Sequence, residues 1–123
     1  MAKTKGYKRA TKEIYELQAG ICSALAHPVR LEILDILGES EKNASELLDT
    51  LEIPKANLSQ HLSVLKEAGV VQARKEGLYQ YYSLGLPGIK EACGMLRVLL
   101  MTRVTQEEKQ NSEIVKALKS TKV

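Results

Sequence analysis

The chain has 123 residues, of which 44% are hydrophobic and 27% charged, and its formal net charge is +3. This length accommodates one domain with a modest core and is too short for two ordinary domains. The composition argues against a disordered chain. No apolar run approaches the ~20 residues that cross a bilayer, and the N-terminus lacks the apolar core of a secretory signal. We therefore expect a cytoplasmic protein without membrane contact.

The first segment, residues 1–11, is a basic arm ahead of a predicted domain at 12–104. All of its cations precede Glu13, the first acidic residue of the chain. A basic arm suits contact with nucleic-acid phosphates, although a solvated tail that aids solubility would have the same composition. The mildly basic net charge permits an anionic partner without requiring one.

Apolar residues at spacings of three and four predict an amphipathic helix over residues 11–25. His27 and Pro28 then interrupt the pattern, because proline disfavours helix at the residue before it and suits the first turn of the next helix. We therefore assign His27 to capping or packing. A second helix is expected from Pro28 to Leu37, with Gly38 ending it.

A helix-turn-helix is predicted in the middle of the chain. Asn43 is the expected N-cap of a short third helix, Ala44 to Leu51, and Glu46 three residues later resembles a capping box. A tight turn leads to a fourth helix, Lys55 to Ala68, which Gly69 closes in a left-handed conformation. Short helices joined by such a turn are typical of helix-turn-helix units.

Residues 70–74 and 79–84 are rich in β-branched and aromatic side chains, which predicts the two strands of a β-hairpin. Gly77 supplies the positive φ angle of the turn between them. A long helical pattern follows from Pro87 and carries more apolar residues than one small domain can cover. The remaining residues, 105–123, form a polar tail that could contain a further helix.

The fourth predicted helix has two different faces. At 100° per residue, Leu58, Leu62 and Leu65 fall on one buried seam. The outward side carries small, hydroxyl and amide side chains, which permit close approach to a major groove and exchange hydrogen bonds with base edges and phosphates. These outward residues are Ala56, Asn57, Ser59, Gln60 and Ser63, with Lys55 at the N-terminal end. An ordinary solvated helix face would carry similar side chains, so this pattern alone does not establish the function.

His61 falls at the edge of the buried seam, which favours a packing or hydrogen-bonding role over contact with nucleic acid or metal. No Ser/His/Asp set, acid pair or phosphate loop is discernible in the sequence, and both histidines have structural explanations. We therefore do not expect an enzyme.

Three stretches resemble one family: ALAHPVRLEILDIL (24–37), ASELLDTLEIPKANLSQHLSVLKEAGVV (44–71) and RKEGLYQYYSL (74–84). They are similar to the ArsR/SmtB family of bacterial repressors. The resemblance implies a mainly α fold with a small β-hairpin, a winged helix-turn-helix that forms a homodimer through its first and last helices. Each subunit would place its fourth helix in one half of a palindromic operator in double-stranded DNA, and the apolar excess of the last helix suits that dimer.

The resemblance also implies which residues contact DNA. They are Lys55, Ala56, Ser59 and Gln60 on the helix, with Arg74, Lys75 and Gln80 on the hairpin, or wing. The alternative is a winged helix that binds RNA or another protein through the same surface. Nothing in the chain distinguishes a repressor from an activator, so repression is implied by the family alone.

Family repressors usually leave DNA when a metal, a metalloid or reactive sulfur binds the dimer. Leu48 and Thr50 stand where the third-helix thiolates of one common metal site would be, and no histidine follows His61 to build the other. Zinc and nickel favour imidazole or thiolate ligands. We therefore predict neither a metal site of these designs nor a cofactor.

Cys22 and Cys93 remain as candidate inducer-sensing residues, and the resemblance places both on interface helices. A thiol pair there could form a disulfide or polysulfide bridge, or bind arsenite incompletely. Free cysteines are also common as small buried hydrophobes. We predict a repressor released by a thiol-reactive inducer. The alternative is a regulator without a thiol switch, responding to another ligand or acting as a protein-interaction module.

Overall fold

The structure is a computed structural model that describes the backbone of residues 2–107 and 112–120. The chain divides into two compact units, Met1–Leu86 and Pro87–Val123. Its elements in chain order are α1 (Ala2–Leu25), α2 (Pro28–Glu39), β1 (Lys42–Asn43), α3 (Ala44–Leu51), α4 (Lys55–Glu67), β2 (Val71–Glu76), β3 (Tyr79–Leu84), α5 (Ile89–Glu107) and α6 (Ser112–Ser120). The mainly helical fold with a small antiparallel sheet confirms the predicted fold class. None of the described helices is both long and apolar enough to cross a membrane.

The helix-turn-helix is formed by α3 and α4, within the predicted bounds to one residue. Asn43 and Glu46 form the predicted capping box, each accepting a hydrogen bond from the other's backbone N–H at 2.9 Å. Glu52 then turns the chain in a left-handed conformation, with φ of 52°. At the far end of α4, Gly69 has φ of 78°, as expected for the residue that closes the helix.

The sheet has three antiparallel strands in the order β1-β3-β2. Strands β2 and β3 form the predicted hairpin, with Glu76 opposite Tyr79 and Gly77 at a φ of 63° in the turn. Strand β1 pairs Lys42 with Tyr82 and was not predicted, because two residues are too few to show an alternating pattern.

The core of the first unit is built from leucine, isoleucine and valine. Its buried members are Ile33, Leu34, Leu37, Leu47, Leu51, Leu58, Leu62, Leu65, Val70 and Val71. Burial of a whole aliphatic side chain stabilises a fold by about 1.5–3 kcal/mol. The leucine seam of α4 therefore holds that helix against α2, α3 and β2, and its opposite side faces outward.

Two helix bounds differ from those expected. α2 continues to Glu39 with Gly38 inside it, so the prediction that Gly38 ends this helix is wrong. Ser40 takes the extended conformation that leads into β1, and one helical glycine costs only about 1 kcal/mol. α1 begins at Ala2, so the backbone of the predicted basic arm continues the first helix. The side chains of residues 2–9 are outside the described part, and their phosphate contact stays a prediction.

Both units leave large apolar side chains in solvent. On α1, Ile14 is 59% exposed and Leu17 is 72% exposed, although both belong to the predicted apolar stripe. On α5, Leu96, Leu99 and Leu100 are also exposed. Contiguous exposed apolar surface of this kind is typical of helices that are covered by another protein.

Candidate nucleic-acid interface

The polar face of α4 consists of Ala56, Asn57, Ser59, Gln60 and Ser63, and all five are exposed. On the opposite side, Leu58 is 1% exposed and Leu65 is not exposed at all. The seam fixes the rotation of the helix, because turning it would expose these leucines. Small and polar groups therefore lie outward along the helix, with Lys55 exposed at its start.

A shallow cleft of about 510 Å³ separates α4 from β3. It brings together Ser59 and Ser63 from the helix with Gln80 from the wing, three residues predicted as DNA contacts. The hydroxyl of Tyr82 donates to Oε1 of Gln80 at 3.1 Å, which leaves the amide NH₂ of Gln80 as a donor. This orienting contact was not predicted from the sequence.

Lys66 also lines this cleft, near the C-terminal end of α4. It is exposed, and its ammonium is the kind of group that contacts a phosphate. Glu67 lines the cleft as well, so the charge of Lys66 is offset there. The hydroxyl and amide groups of the cleft suit a sugar-phosphate backbone better than an apolar ligand.

Arg74 is a predicted DNA contact that already donates three of its five N–H groups within the chain. Its Nε donates to Oε2 of Glu41 at 2.9 Å, its Nη2 donates to Oε1 of Glu41 at 2.6 Å, and its Nη1 donates to Glu76. The guanidinium also lies 4.9 Å from the centre of the Tyr81 ring. This bidentate pair is the strong arrangement for arginine and carboxylate, so Arg74 braces the wing against the segment before β1.

The electrostatic effect of that pair appears on both partners. The hydrogen bond from Arg74 lowers the pKa of the Glu41 carboxyl, and the hydrogen bonds to Glu41 and Glu76 raise the pKa of the Arg74 guanidinium. Because the pair is exposed, water and salt screen most of its energy. These bonds leave two N–H groups of Arg74 that can donate to a phosphate, although the carboxylates offset its positive charge.

The tip of the wing carries a different set of groups. Lys75 is exposed on β2, and in the part of the chain that the structure describes it makes no salt bridge. Leu78, in the turn after Gly77, is 97% exposed. Lys75 is therefore the wing cation that can reach a phosphate without breaking an ion pair.

His61 lies on α4 beside the seam, half-buried, and packs against His27 with the ring centres 4.4 Å apart. Its Nδ1 lies 3.4 Å from Nη1 of Arg30. Burial lowers the pKa of His61, and the positive charges that His27 and Arg30 can place beside it lower that pKa further. His61 thus has the packing and hydrogen-bonding role expected for it, and His27 is the N-cap of α2.

The two cysteines are free thiols in different units of the chain. Cys22 is exposed on α1, and Cys93 is half-buried on α5. Among residues 2–107 and 112–120, no group of three or more His, Cys, Asp or Glu side chains could hold a metal ion.

Comparison with known proteins finds relatives that are helix-turn-helix transcriptional regulators. A family model described as a helix-turn-helix domain matches residues 25–72. The uncharacterized HTH-type transcriptional regulator Rv0081 of Mycobacterium tuberculosis is 40% identical over 91 residues, which cover 73% of this chain and 80% of that protein. The crystal structure of Rv0081 superposes with a TM-score of 0.70 at 38% identity, covering 76% of this chain and 94% of that one.

Two further relatives have more specific names. The transcriptional repressor SmtB of Mycobacterium tuberculosis is 41% identical over 73 residues, which cover 59% of this chain and 54% of SmtB. The homodimeric winged helix-turn-helix DNA-binding domain of Mb0332 from Mycobacterium bovis, solved by NMR, superposes with a TM-score of 0.68 at 28% identity. That superposition covers 73% of this chain and 83% of the domain.

Proposed function

Because the chain belongs to the ArsR/SmtB family of winged helix-turn-helix transcriptional regulators, we propose that it represses transcription by binding a palindromic operator as a homodimer. In this proposal α4 is the recognition helix in the major groove, and the β2–β3 hairpin is the wing beside the DNA backbone. The observation that carries the proposal is the polar face of α4, exposed opposite a buried leucine seam.

The assignment of individual DNA contacts follows from their chemistry. On the polar face of α4, Gln60 has an amide that can pair with both N6 and N7 of adenine, whereas Ser59 and Ser63 can bond either bases or phosphates. Lys55 and Lys75 supply charge for phosphates, and Gln80 supplies an amide donor from the wing. Ala56 and Asn57 sit on the first turn, where a small side chain permits close approach. Arg74 can donate its two remaining N–H groups to a phosphate, although Glu41 and Glu76 offset its charge.

A homodimer accounts for the exposed apolar residues of α1 and α5. In a two-fold symmetric dimer each subunit contributes the same surface to the interface. One apolar stripe on each helix is therefore enough to be buried against its counterpart in the partner subunit. The dimer would set the spacing of the two recognition helices at about one turn of DNA, which makes an inverted repeat the expected operator. The relative Mb0332 is homodimeric, which supports this assembly for the present chain.

For the inducer we propose a thiol-reactive compound, either reactive sulfur or an oxidant, acting at Cys22 and Cys93. The exposure of Cys22 supports this, because a thiol must be accessible to react. With a peroxide, two thiols would lose two protons and two electrons to form a disulfide, and the peroxide would be reduced to water. Arsenite is less suitable, since it prefers three thiolates and one chain has two cysteines.

To test this proposal, the full chain is mixed with fragmented genomic DNA of the source organism. The bound fragments are then recovered and sequenced. We expect an inverted repeat, bound in the presence of competitor DNA, with affinity that falls steeply between about 50 and 200 mM salt. A chain that binds no duplex at low salt would refute the proposal. It would instead favour the alternative of a protein-interaction module.

A further inference from the structure

Arg30, in the first turn of α2, holds the end of a different helix. Its Nε donates to the carbonyl oxygen of Ala24 at 2.7 Å, and its Nη2 donates to the carbonyl oxygen of Ser23 at 3.4 Å. Both carbonyls belong to the last turn of α1, whose oxygens have no full set of donors within the helix. A positive charge is also favourable at a helix C-terminus. Arg30 therefore closes the end of α1.

The same guanidinium reaches the recognition helix. Its Nη1 lies 3.4 Å from Nδ1 of His61, and because a guanidinium can only donate, Nδ1 must be the acceptor. His61 in turn packs against His27, whose Nδ1 accepts from the backbone N–H of Val29 at 3.1 Å and so caps α2. One cation thus joins the end of α1, the start of α2 and the middle of α4.

The contact matters for α4 because it adds a directional bond to the packing of the leucine seam, and the first turn of this helix has no side-chain cap. Its N-cap is Pro54, which makes no side-chain hydrogen bond to the first turn. His61 directly follows Gln60, so any shift of His61 along or around the helix axis moves Gln60 as well. Hydrogen bonds to bases need donor and acceptor within a few tenths of an ångström of their best distance.

We propose that Arg30 is a positioning residue for DNA recognition, because its bonds to the end of α1 and to His61 act with the leucine seam to fix where the polar face of α4 lies. This inference deepens the proposed function and rests on it. Cys22 immediately precedes Ser23, and α1 also carries the exposed apolar stripe. Arg30 therefore gives a change in α1, from modification of Cys22 or from repacking at its stripe, a hydrogen-bonded route to α4 beside the direct packing of the two helices.

The charges around His61 predict that DNA affinity depends on pH. A residue that acted by packing alone would not produce that dependence. The titratable groups that face it are His27 and Arg30, both from the N-terminal turn of α2 and its cap, and the end of α1 contributes only carbonyl oxygens. Protonation of His61 at Nδ1 would remove the acceptor and set a second positive charge beside Arg30. The bond therefore exists only with neutral His61.

The test compares Arg30→Gln and Arg30→Lys in the full chain, with Lys116→Gln as a control that also removes one positive charge, here from the exposed surface of α6. Dissociation constants are measured for the operator and for a scrambled duplex of the same length. We expect Arg30→Gln to weaken operator binding at least about tenfold, with less than about a threefold change for the scrambled duplex. Arg30→Lys should bind the operator nearly as weakly as Arg30→Gln does, since one ammonium cannot reproduce the guanidinium fork.

The second readout is the pH profile of the same two constants from about pH 7.5 to 5.5. In the wild-type chain, operator affinity should fall relative to the scrambled duplex as His61 becomes protonated. This fall should be smaller in Arg30→Gln, which has no such bond to lose, and in His61→Gln, whose amide oxygen can accept from Arg30 throughout this pH range. The double variant Arg30→Gln/His61→Leu should lose no more operator affinity than Arg30→Gln alone.

A folded Arg30→Gln chain with the wild-type ratio of operator to scrambled affinity would overturn the role of Arg30. If Arg30→Gln does not fold, as judged by circular dichroism, His61→Leu, which removes the acceptor for Arg30, is held to the same criterion. A wild-type chain that prefers no duplex would refute the proposed function itself. If the wild-type chain prefers the operator to the scrambled duplex and Arg30→Gln has the same preference, only the positioning role is refuted.

Discussion

The imidazole of His61 on the recognition helix lies 4.4 Å from the imidazole of His27 at the start of α2, with 47° between the ring planes. Both rings use Nδ1 as an acceptor, one toward Arg30 and the other toward the backbone of Val29. Protonation of His61 would remove the acceptor for Arg30 and add a positive charge beside that permanent cation, which makes this contact sensitive to acid.

Stability should therefore depend on pH through His61. Burial, His27 and Arg30 lower its pKa below the ordinary value of 6.5, which is the value expected in the unfolded chain. Below that pH the unfolded chain binds the proton more readily than the folded chain does. The free energy of unfolding should consequently fall as pH drops through 6.5 and level off below the folded pKa.

Urea denaturation at several pH values measures this dependence directly, and His61→Gln should reduce the slope between pH 7 and pH 5.5, a window of about 1.5 units. The variant keeps a side chain that can accept from Arg30 and cannot titrate in this range. An unchanged slope would show that His61 does not carry the effect.

The wing makes a prediction about salt. Lys75→Ala should weaken operator and scrambled duplexes alike, and it should reduce the slope of log affinity against log salt by about one. Glu41→Gln should act in the opposite direction, because it removes a negative charge and loosens the fork that occupies Arg74. Anisotropy titrations across a salt series give both slopes.

Glu16→Gln is the control for the second variant, since it removes an equal charge from the exposed surface of α1. If Glu41→Gln and Glu16→Gln raise affinity equally, the fork does not restrain Arg74 and only overall charge matters.

The dimer predicts that the apolar stripe of α1 is buried between subunits. Leu17→Glu should produce monomers in sedimentation velocity and weaken operator binding, because a buried unpaired carboxylate is costly. Ala19→Glu introduces the same charge about 160° away around the helix and should leave the dimer intact. Dimers of equal stability in both variants would place the interface elsewhere.

The thiol switch is tested with Cys22→Ser and Cys93→Ser. Operator affinity should fall on treatment of the wild-type chain with polysulfide or peroxide, and each variant should lose that response, since one thiol cannot form the bridge. Arsenite serves as the comparison reagent. An unchanged response to every reagent in both variants would eliminate the thiol hypothesis.

Short-range signals explain what the sequence predicted correctly. The capping box of Asn43 and Glu46 and the turn at Gly77 each depend on residues a few positions apart, so local stereochemistry determines them. The outward polar face of α4 follows from helical geometry once Leu58, Leu62 and Leu65 are recognised as one seam.

Contacts between distant residues could not be predicted in this way. Arg74 and Glu41 are 33 positions apart, and Arg30 and His61 are 31 apart, so no spacing rule connects them. As a result Arg74 was assigned to DNA from the family resemblance and its charge, and Arg30 was not considered. The roles of both arginines follow from groups that only the folded structure brings together. These groups are carboxylates around Arg74, and carbonyl oxygens and an imidazole around Arg30.

The most direct test concerns the base-reading role of Gln60. Affinities of the wild-type chain, Gln60→Ala and Lys55→Ala are measured for the operator and for every single base substitution in one half-site, with Gln106→Ala on α5 as the control. Gln60→Ala should lose discrimination, worth about 1–3 kcal/mol, at one base pair of the half-site. Lys55→Ala should weaken all duplexes equally, and Gln106→Ala should change none. If Gln60→Ala keeps the complete wild-type preference, the polar face of α4 does not read the operator through Gln60.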